Sequence, residues 1–131
     1  MLINPTGRTV RNDKAGAGFY NAPRGNRLHK GVDFVADPGQ FVLSPISGKV
    51  VRGARPYADS AEWLGVLIEG NQIGIMMFYL KPFDELKGMY VSAGQVIGIA
   101  QDISRRYGED CTPHIHLQVE WVDPLLIMRG V

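Results

Sequence analysis

Cysteine is almost absent: the 131 residues hold only Cys111, so no disulfide can close within the chain and a disulfide-framed scaffold is excluded. Charge of one sign is scarce as well. The formal net charge is +1 and no like-charged run is longer than Arg105-Arg106, which leaves no basic stripe to follow a phosphate backbone, so nucleic acid is not an expected partner. Long apolar runs are missing too. No segment approaches the roughly 20 residues that span a bilayer, and no membrane insertion is expected. The opening Met1-Leu2-Ile3-Asn4-Pro5-Thr6-Gly7-Arg8 lacks the apolar stretch of a secretion signal. The expectation is therefore a protein made in the cytoplasm and delivered to any outside target by a non-Sec route.

What remains is ordinary for one globular domain. Hydrophobic residues make up 45% and charged residues 21%, and 16 glycines with 8 prolines point to many tight turns. Residues 1–26 read as an irregular arm over the body, and residues 27–131 as a single, mainly β domain with an antiparallel core and long loops walling a groove. Within it, β-prone runs at 32–36, 41–43 and 49–52 alternate with Asp37-Pro38-Gly39, Ser44-Pro45 and Ser47-Gly48. Residues 55–63 have no period and read as a loop overhanging one edge of a site. A hairpin is expected from 66–69 and 74–80 around Gly70-Asn71, a second strand pair from Val91 and 95–100 around Ala93-Gly94, and a short helical turn within 101–108. The clearest strand runs from His114 to Trp121. There His114, His116, Gln118 and Glu120 alternate with Ile115, Leu117, Val119 and Trp121, the period of a strand with one buried face.

The three histidines all fall in two short motifs, His29-Lys30-Gly31-Val32-Asp33 and His114-Ile115-His116. Residues two apart on a strand share a face, so His114 and His116 project together and both can reach one ion. Positions 29, 31 and 33 share a face of extended chain, with Gly31 leaving room for close approach. Two neutral imidazoles and a carboxylate make the N/N/O set of a catalytic zinc site, whereas magnesium prefers oxygen ligands. A polar row on an exposed strand needs no metal, but no histidine is left outside the two motifs, which favours the metal reading.

These residues resemble the lysostaphin/LytM-type zinc metallopeptidases, which join an upstream His-x-x-x-Asp to a downstream His-x-His. The likeness continues through Arg27-Leu28 before His29, the 45–51 segment with Gly48, residues 91–98 with Gly94-Gln95, and Pro113 before His114 to Asp123-Pro124, in family order. It implies an endopeptidase acting on the peptide cross-bridges of bacterial peptidoglycan, or on another extended peptide. By position it implies one Zn(2+) per chain held by His29, Asp33 and His116, with His114 catalytic beside it. One departure stands out: where the family carries a second histidine, this chain has Tyr79, in Met77-Phe78-Tyr79-Leu80-Lys81-Pro82. A phenol can donate to an oxyanion but is a poor base near neutral pH. With Pro56-Tyr57, this run is similar to the leukocyte cell-derived chemotaxin-2 branch, regarded as binding proteins. That keeps a second reading open, a catalytically silent zinc-binding module. The branch is disulfide-bonded and this chain cannot be, so the expectation is a bacterial or bacteriophage member, with assembly into a phage tail, virion or secretion apparatus as a route to the wall.

Three further features have two readings each. Cys111 is either a fourth ligand or a buried thiol, Gln118 either orients a histidine or is solvated, and Asp102, Glu109 and Asp110 either line the groove or belong to a solvated loop.

Overall fold

The computed structural model describes residues 2–130; Met1 and Val131, the outer bounds of the expected arm and domain, lie outside them. Four two-residue strands come first: β1 (Asn12–Asp13), β2 (Gly16–Ala17), β3 (Pro23–Arg24) and β4 (Arg27–Leu28). Then follow β5 (Val32–Val35), β6 (Phe41–Leu43), β7 (Gly48–Ala54), β8 (Gly65–Glu69), β9 (Ile73–Phe78) and β10 (Leu80–Pro82). The rest is β11 (Tyr90–Val91), β12 (Val96–Ala100), the single turn α1 (Ser104–Tyr107) and β13 (His114–Val122), with 3-10 turns at Asp84–Leu86 and Pro124–Leu126.

Six strands in the order β11-β7-β8-β9-β13-β5 form the main antiparallel sheet, and β10-β12-β6 form a second one. The core lies where inward side chains of both sheets meet. Ile68, Ile75, Met77 and Ile115 come from the first, Val42, Leu80 and Ile97 from the second, and all are essentially inaccessible. Each such side chain contributes about 1.5–3 kcal/mol of burial. The expected hairpin around Gly70-Asn71 is β8 and β9, paired from Gly65↔Phe78 to Glu69↔Gly74.

Three expectations are corrected. Val91 and residues 95–100 do not pair with each other, because β11 joins β7 in one sheet while β12 joins β6 and β10 in the other. Two neighbouring runs with a turn between them need not close a hairpin when each has a better edge available. The alternation of β13 is interrupted between Val119 and Trp121, where the register with β9 shifts. Only Ile115 and Leu117 of its apolar face are buried, while Val119 is 46% and Trp121 39% exposed, because the strand runs on past the core. Finally, residues 2–26 hold more structure than an irregular arm: β1 pairs with β2 and β3 with β4, so position 26 falls inside a hairpin turn.

This leading segment covers the free edge of β5. Arg11 N donates to Asp33 O (2.7 Å), Asp33 N to Gly18 O (2.8 Å) and Val35 N to Thr9 O (2.8 Å). An uncovered edge would expose unpaired backbone groups. The same pairing fixes Arg11 beside Asp33.

Candidate metal centre and cleft

The register of the main sheet brings the two histidine motifs together, since β13 pairs antiparallel with β5 so that His116 faces Asp33 and His114 faces Val35. His29 arrives from the turn after β4, held by Asn21 N donating to His29 O and His29 N donating to Ala22 O, both 2.9 Å. His29, Asp33 and His116 then each present one ligand atom, and the three atoms lie within 4.8 Å of one another. Asp33 Oδ1 is 2.9 Å from His116 Nδ1 and 3.2 Å from His29 Nε2, and the two nitrogens are 3.1 Å apart.

The opposite ring atoms fix the tautomers. His29 Nδ1 is 3.0 Å from the Phe19 carbonyl, which can only accept, so Nδ1 carries the proton and Nε2 is a bare lone pair. His116 Nε2 donates to Gln118 Oε1 at 2.8 Å, and the amide is oriented by Gln118 Nε2 donating to Glu120 Oε1 at 2.9 Å. His116 Nδ1 is thereby bare as well. Two imidazole lone pairs and one carboxylate oxygen converge on one point, an arrangement that repels itself until a cation sits among them. Gln118 is thus an orienting partner of His116.

Asp33 is nearly inaccessible, and burial by itself would raise its pKa. The three imidazoles packed around it, with His116 the largest contributor, outweigh that and bring it down to about 2. Its second oxygen is held by a group outside both motifs: Arg11, itself 4% exposed, donates from Nε and Nη2 to Asp33 Oδ2, each at 3.2 Å. Arg24 Nη2 approaches the same oxygen at 3.6 Å. The carboxylate is turned so that Oδ1 faces the histidines. Gly18 permits this crowding, since a Cβ there would lie 2.7 Å from Asp33 Cβ. Gly31 has a different role from the one its spacing implied. A Cβ on it would strike the Leu117 carbonyl and lie 2.8 Å from His116 Cε1, so its bareness makes room for the β13 backbone and the His116 ring.

His114 is 4% exposed and donates from Nδ1 to the Thr112 carbonyl at 2.8 Å, leaving Nε2 bare and 3.7 Å from Asp33 Oδ2. Burial pushes its pKa below the usual histidine value, against the pull of Asp33, and His29 is lowered for the same leading reason. Both are neutral near pH 7, one shaped as a ligand and the other as a proton acceptor.

Tyr79 stands edge-on to His114, ring centroids 5.3 Å apart, at the junction of β9 and β10. Its φ of +75° is the bend that passes the chain from one sheet to the other, braced by Tyr79 N donating to Leu64 O (2.8 Å) and Gln101 N donating to Tyr79 O (2.9 Å). Such a conformation costs on the order of 1–3 kcal/mol and recurs at functional sites. Its hydroxyl meets Tyr57 Oη at 2.9 Å, from the expected overhanging loop. Burial holds the phenol above its usual pKa, so it stays protonated. Together these residues wall a cleft of about 510 Å³, lined also by the basic Arg24, Arg27 and Lys30 and by the aromatic Tyr57, Phe78 and Tyr107. Cys111 reaches the cleft but is absent from the converging ligand set, and Asp102, Glu109 and Asp110 do not line it. Asp102 Oδ1 instead accepts from Ser104 N, the first residue of α1, at 3.1 Å.

Sequence reasoning missed Arg11, the Asp13 carboxylate that accepts from Arg11 Nη1 at 2.7 Å, Tyr107 and the Phe19 carbonyl. A buried carboxylate ligand does call for a cationic partner, but four arginines precede Asp33 and no spacing singles out Arg11.

Fold and centre together define a small antiparallel β domain whose cleft is lined by a His/Asp/His cluster with the geometry to hold a metal ion. The chain belongs to peptidase family M23, whose profile matches residues 27–124. It is 35% identical to leukocyte cell-derived chemotaxin-2 of Bos taurus over 107 residues, 81% of this chain and 69% of that protein. It is 32% identical to lysostaphin of Staphylococcus simulans over 112 residues, 83% of this chain but only 22% of lysostaphin. Among solved structures, the catalytic domain of that lysostaphin superposes with a TM-score of 0.58 at 27% identity, covering 82% of this chain and 78% of the domain. A zinc containing peptidase from Vibrio cholerae superposes with a TM-score of 0.60 at 27% identity, covering 90% of this chain and 35% of that one. The matched region begins at Arg27, so the segment carrying Arg11, Asp13 and the Phe19 carbonyl precedes it.

Proposed function

We propose that this chain is a zinc-dependent endopeptidase domain that acts on the peptide cross-bridges of bacterial peptidoglycan. The observation that carries the reading is the convergence of three bare acceptor atoms, His29 Nε2, Asp33 Oδ1 and His116 Nδ1, beside the unprotonated Nε2 of His114. Zinc is the cation that suits two imidazoles and one carboxylate, one ion per chain, and it would supply the Lewis acidity that polarises a scissile carbonyl.

The chain's own groups do the rest. An extended peptide lies in the cleft with its carbonyl toward the metal centre. His114 Nε2 takes the proton from the attacking water, and the imidazolium so formed is stabilised by Asp33, 3.7 Å away. The same group then hands the proton to the departing amine. Tyr79 donates its hydroxyl to the oxygen that gains charge, a role for which a protonated phenol suits and a base is not needed.

The test combines elemental analysis for zinc with release of fragments from purified cell walls, in the wild type and in His114→Ala. The reading expects about one zinc per chain in both and fragment release by the wild type alone, abolished by chelation. Equal release by both proteins, or none by either on several wall types, counts against it. Tyr79 in the place of the family's second histidine favours a second reading, a zinc-binding module that holds a peptide without cutting it. Under that reading Tyr79→His creates cleavage where the wild type has none, and zinc removal lowers thermal stability without loss of any reaction.

A further inference from the structure

Three tyrosines from separate elements meet hydroxyl to hydroxyl at the aromatic wall: Tyr57 from the loop after β7, Tyr79 from the bend between β9 and β10, and Tyr107 from α1. Tyr57 Oη is 2.9 Å from Tyr79 Oη and is also hydrogen-bonded to Tyr107 Oη. The guanidinium of Arg106 lies 3.6 Å above the Tyr57 ring. Three hydroxyls own three hydrogens, and two are used between them. One is left over, and when both bonds run in the same direction it sits at the end of the row they point toward. Tyr107 is 51% exposed, so water satisfies its oxygen in either direction, while Tyr79 lines the cleft beside His114 and, among the described residues, its hydroxyl is hydrogen-bonded to that of Tyr57 alone.

We propose that Tyr107, Tyr57 and Tyr79 form a one-directional hydroxyl relay that aims the Tyr79 hydrogen into the cleft, with Tyr57 and Tyr107 as positioning residues. The inference rests on the proposed reading of the site, in which Tyr79 faces an oxygen bearing negative charge. With an anion in the cleft, Tyr107 donates to Tyr57 and Tyr57 to Tyr79, whose own O–H is then free to donate outward. The reverse order would set a Tyr79 lone pair against the anion. No proton changes owner. Each accepted bond polarises the next donor, and Arg106 over the Tyr57 ring draws electron density from that phenol, which makes it a better donor. The relay accounts for how a tyrosine can stand where a histidine donor would otherwise be. Burial agrees, since it holds both Tyr57 and Tyr79 above the ordinary phenol pKa and keeps their hydrogens in place.

The experiment measures binding of inorganic phosphate to the zinc-loaded protein by titration calorimetry, in the wild type, Tyr79→Phe, Tyr57→Phe, the double variant and Tyr107→Phe. Tyr79→Phe should weaken binding at least tenfold. Tyr57→Phe should weaken it about threefold to tenfold by removing the polarising bond, and add nothing in the Tyr79→Phe background, because it acts only through Tyr79. Tyr107→Phe, at an exposed position, should give a smaller loss of the same kind. Equal penalties for Tyr57→Phe in both backgrounds, or no penalty in either, overturn the relay. Loss of zinc from the wild type itself overturns the proposed function instead, and the elemental analysis separates the two.

Discussion

Replacing Arg11 with methionine keeps most of the stem volume and removes the guanidinium, which donates twice to Asp33 Oδ2 at 3.2 Å, to Asp13 Oδ1 at 2.7 Å and to the Gly16 carbonyl at 3.0 Å. The side chains of Arg11 and Asp33 are 5% and 4% exposed, so solvent screens little of this. Breaking a buried ion pair from one side costs about 3–5 kcal/mol, because the remaining charge stays buried without its partner. Arg24, 3.6 Å from the same oxygen, recovers part of that, which places the expected loss near 3 kcal/mol. That is a large share of the roughly 5–15 kcal/mol that holds a domain together, and it corresponds to a fall in Tm of about 10 °C. A bound cation neutralises Asp33 from the other side. The loss should therefore be largest in chelator and shrink when zinc is in excess. The assay is urea unfolding followed by fluorescence of Trp63 and Trp121, with and without zinc. A loss below about 1 kcal/mol in chelator, or the same loss in both states, would refute the electrostatic account and leave Arg11 as packing.

The metal-free protein should also weaken as pH falls, with one sign for every shifted group in the centre. His29 and His114 lie below 6.5 in the folded state, so below that pH the unfolded chain takes up protons that the folded one refuses, and stability drops. Asp33, at about 2 against 3.8, adds a second loss as pH descends through that window. Urea midpoints between pH 8 and 3 in chelator read both steps, and greater stability at pH 5 than at pH 8 would contradict the assignment. Gly31→Ala drives its Cβ into the Leu117 carbonyl of β13 as well as against the His116 ring, so it should lower the urea midpoint in chelator and also reduce zinc affinity at least tenfold, read by competition with a chromophoric chelator. Unchanged affinity would mean that the ring has room to spare.

Much of the centre was legible because its signals are local. His114 and His116 share a strand face by the period of extended chain, and β8 and β9 close around Gly70-Asn71 because a short turn between two apolar runs has few alternatives. Residues 91–100 were misread for the complementary reason: which edge a strand joins depends on partners far away in sequence, and both runs found theirs in different sheets.

The sequence by itself determined which side chains the centre could draw on, two imidazoles and a carboxylate with a tyrosine nearby, because side-chain identity and strand period are written residue by residue. Tertiary structure alone decided which atoms converge and in which tautomer. The Phe19 carbonyl, Gln118 and Thr112 fix the protons on three rings, and Arg11 turns Asp33 from an edge-pairing segment 22 residues upstream. Backbone carbonyls carry no residue signature, and a guanidinium can serve any carboxylate within reach. Only the folded register selects among them.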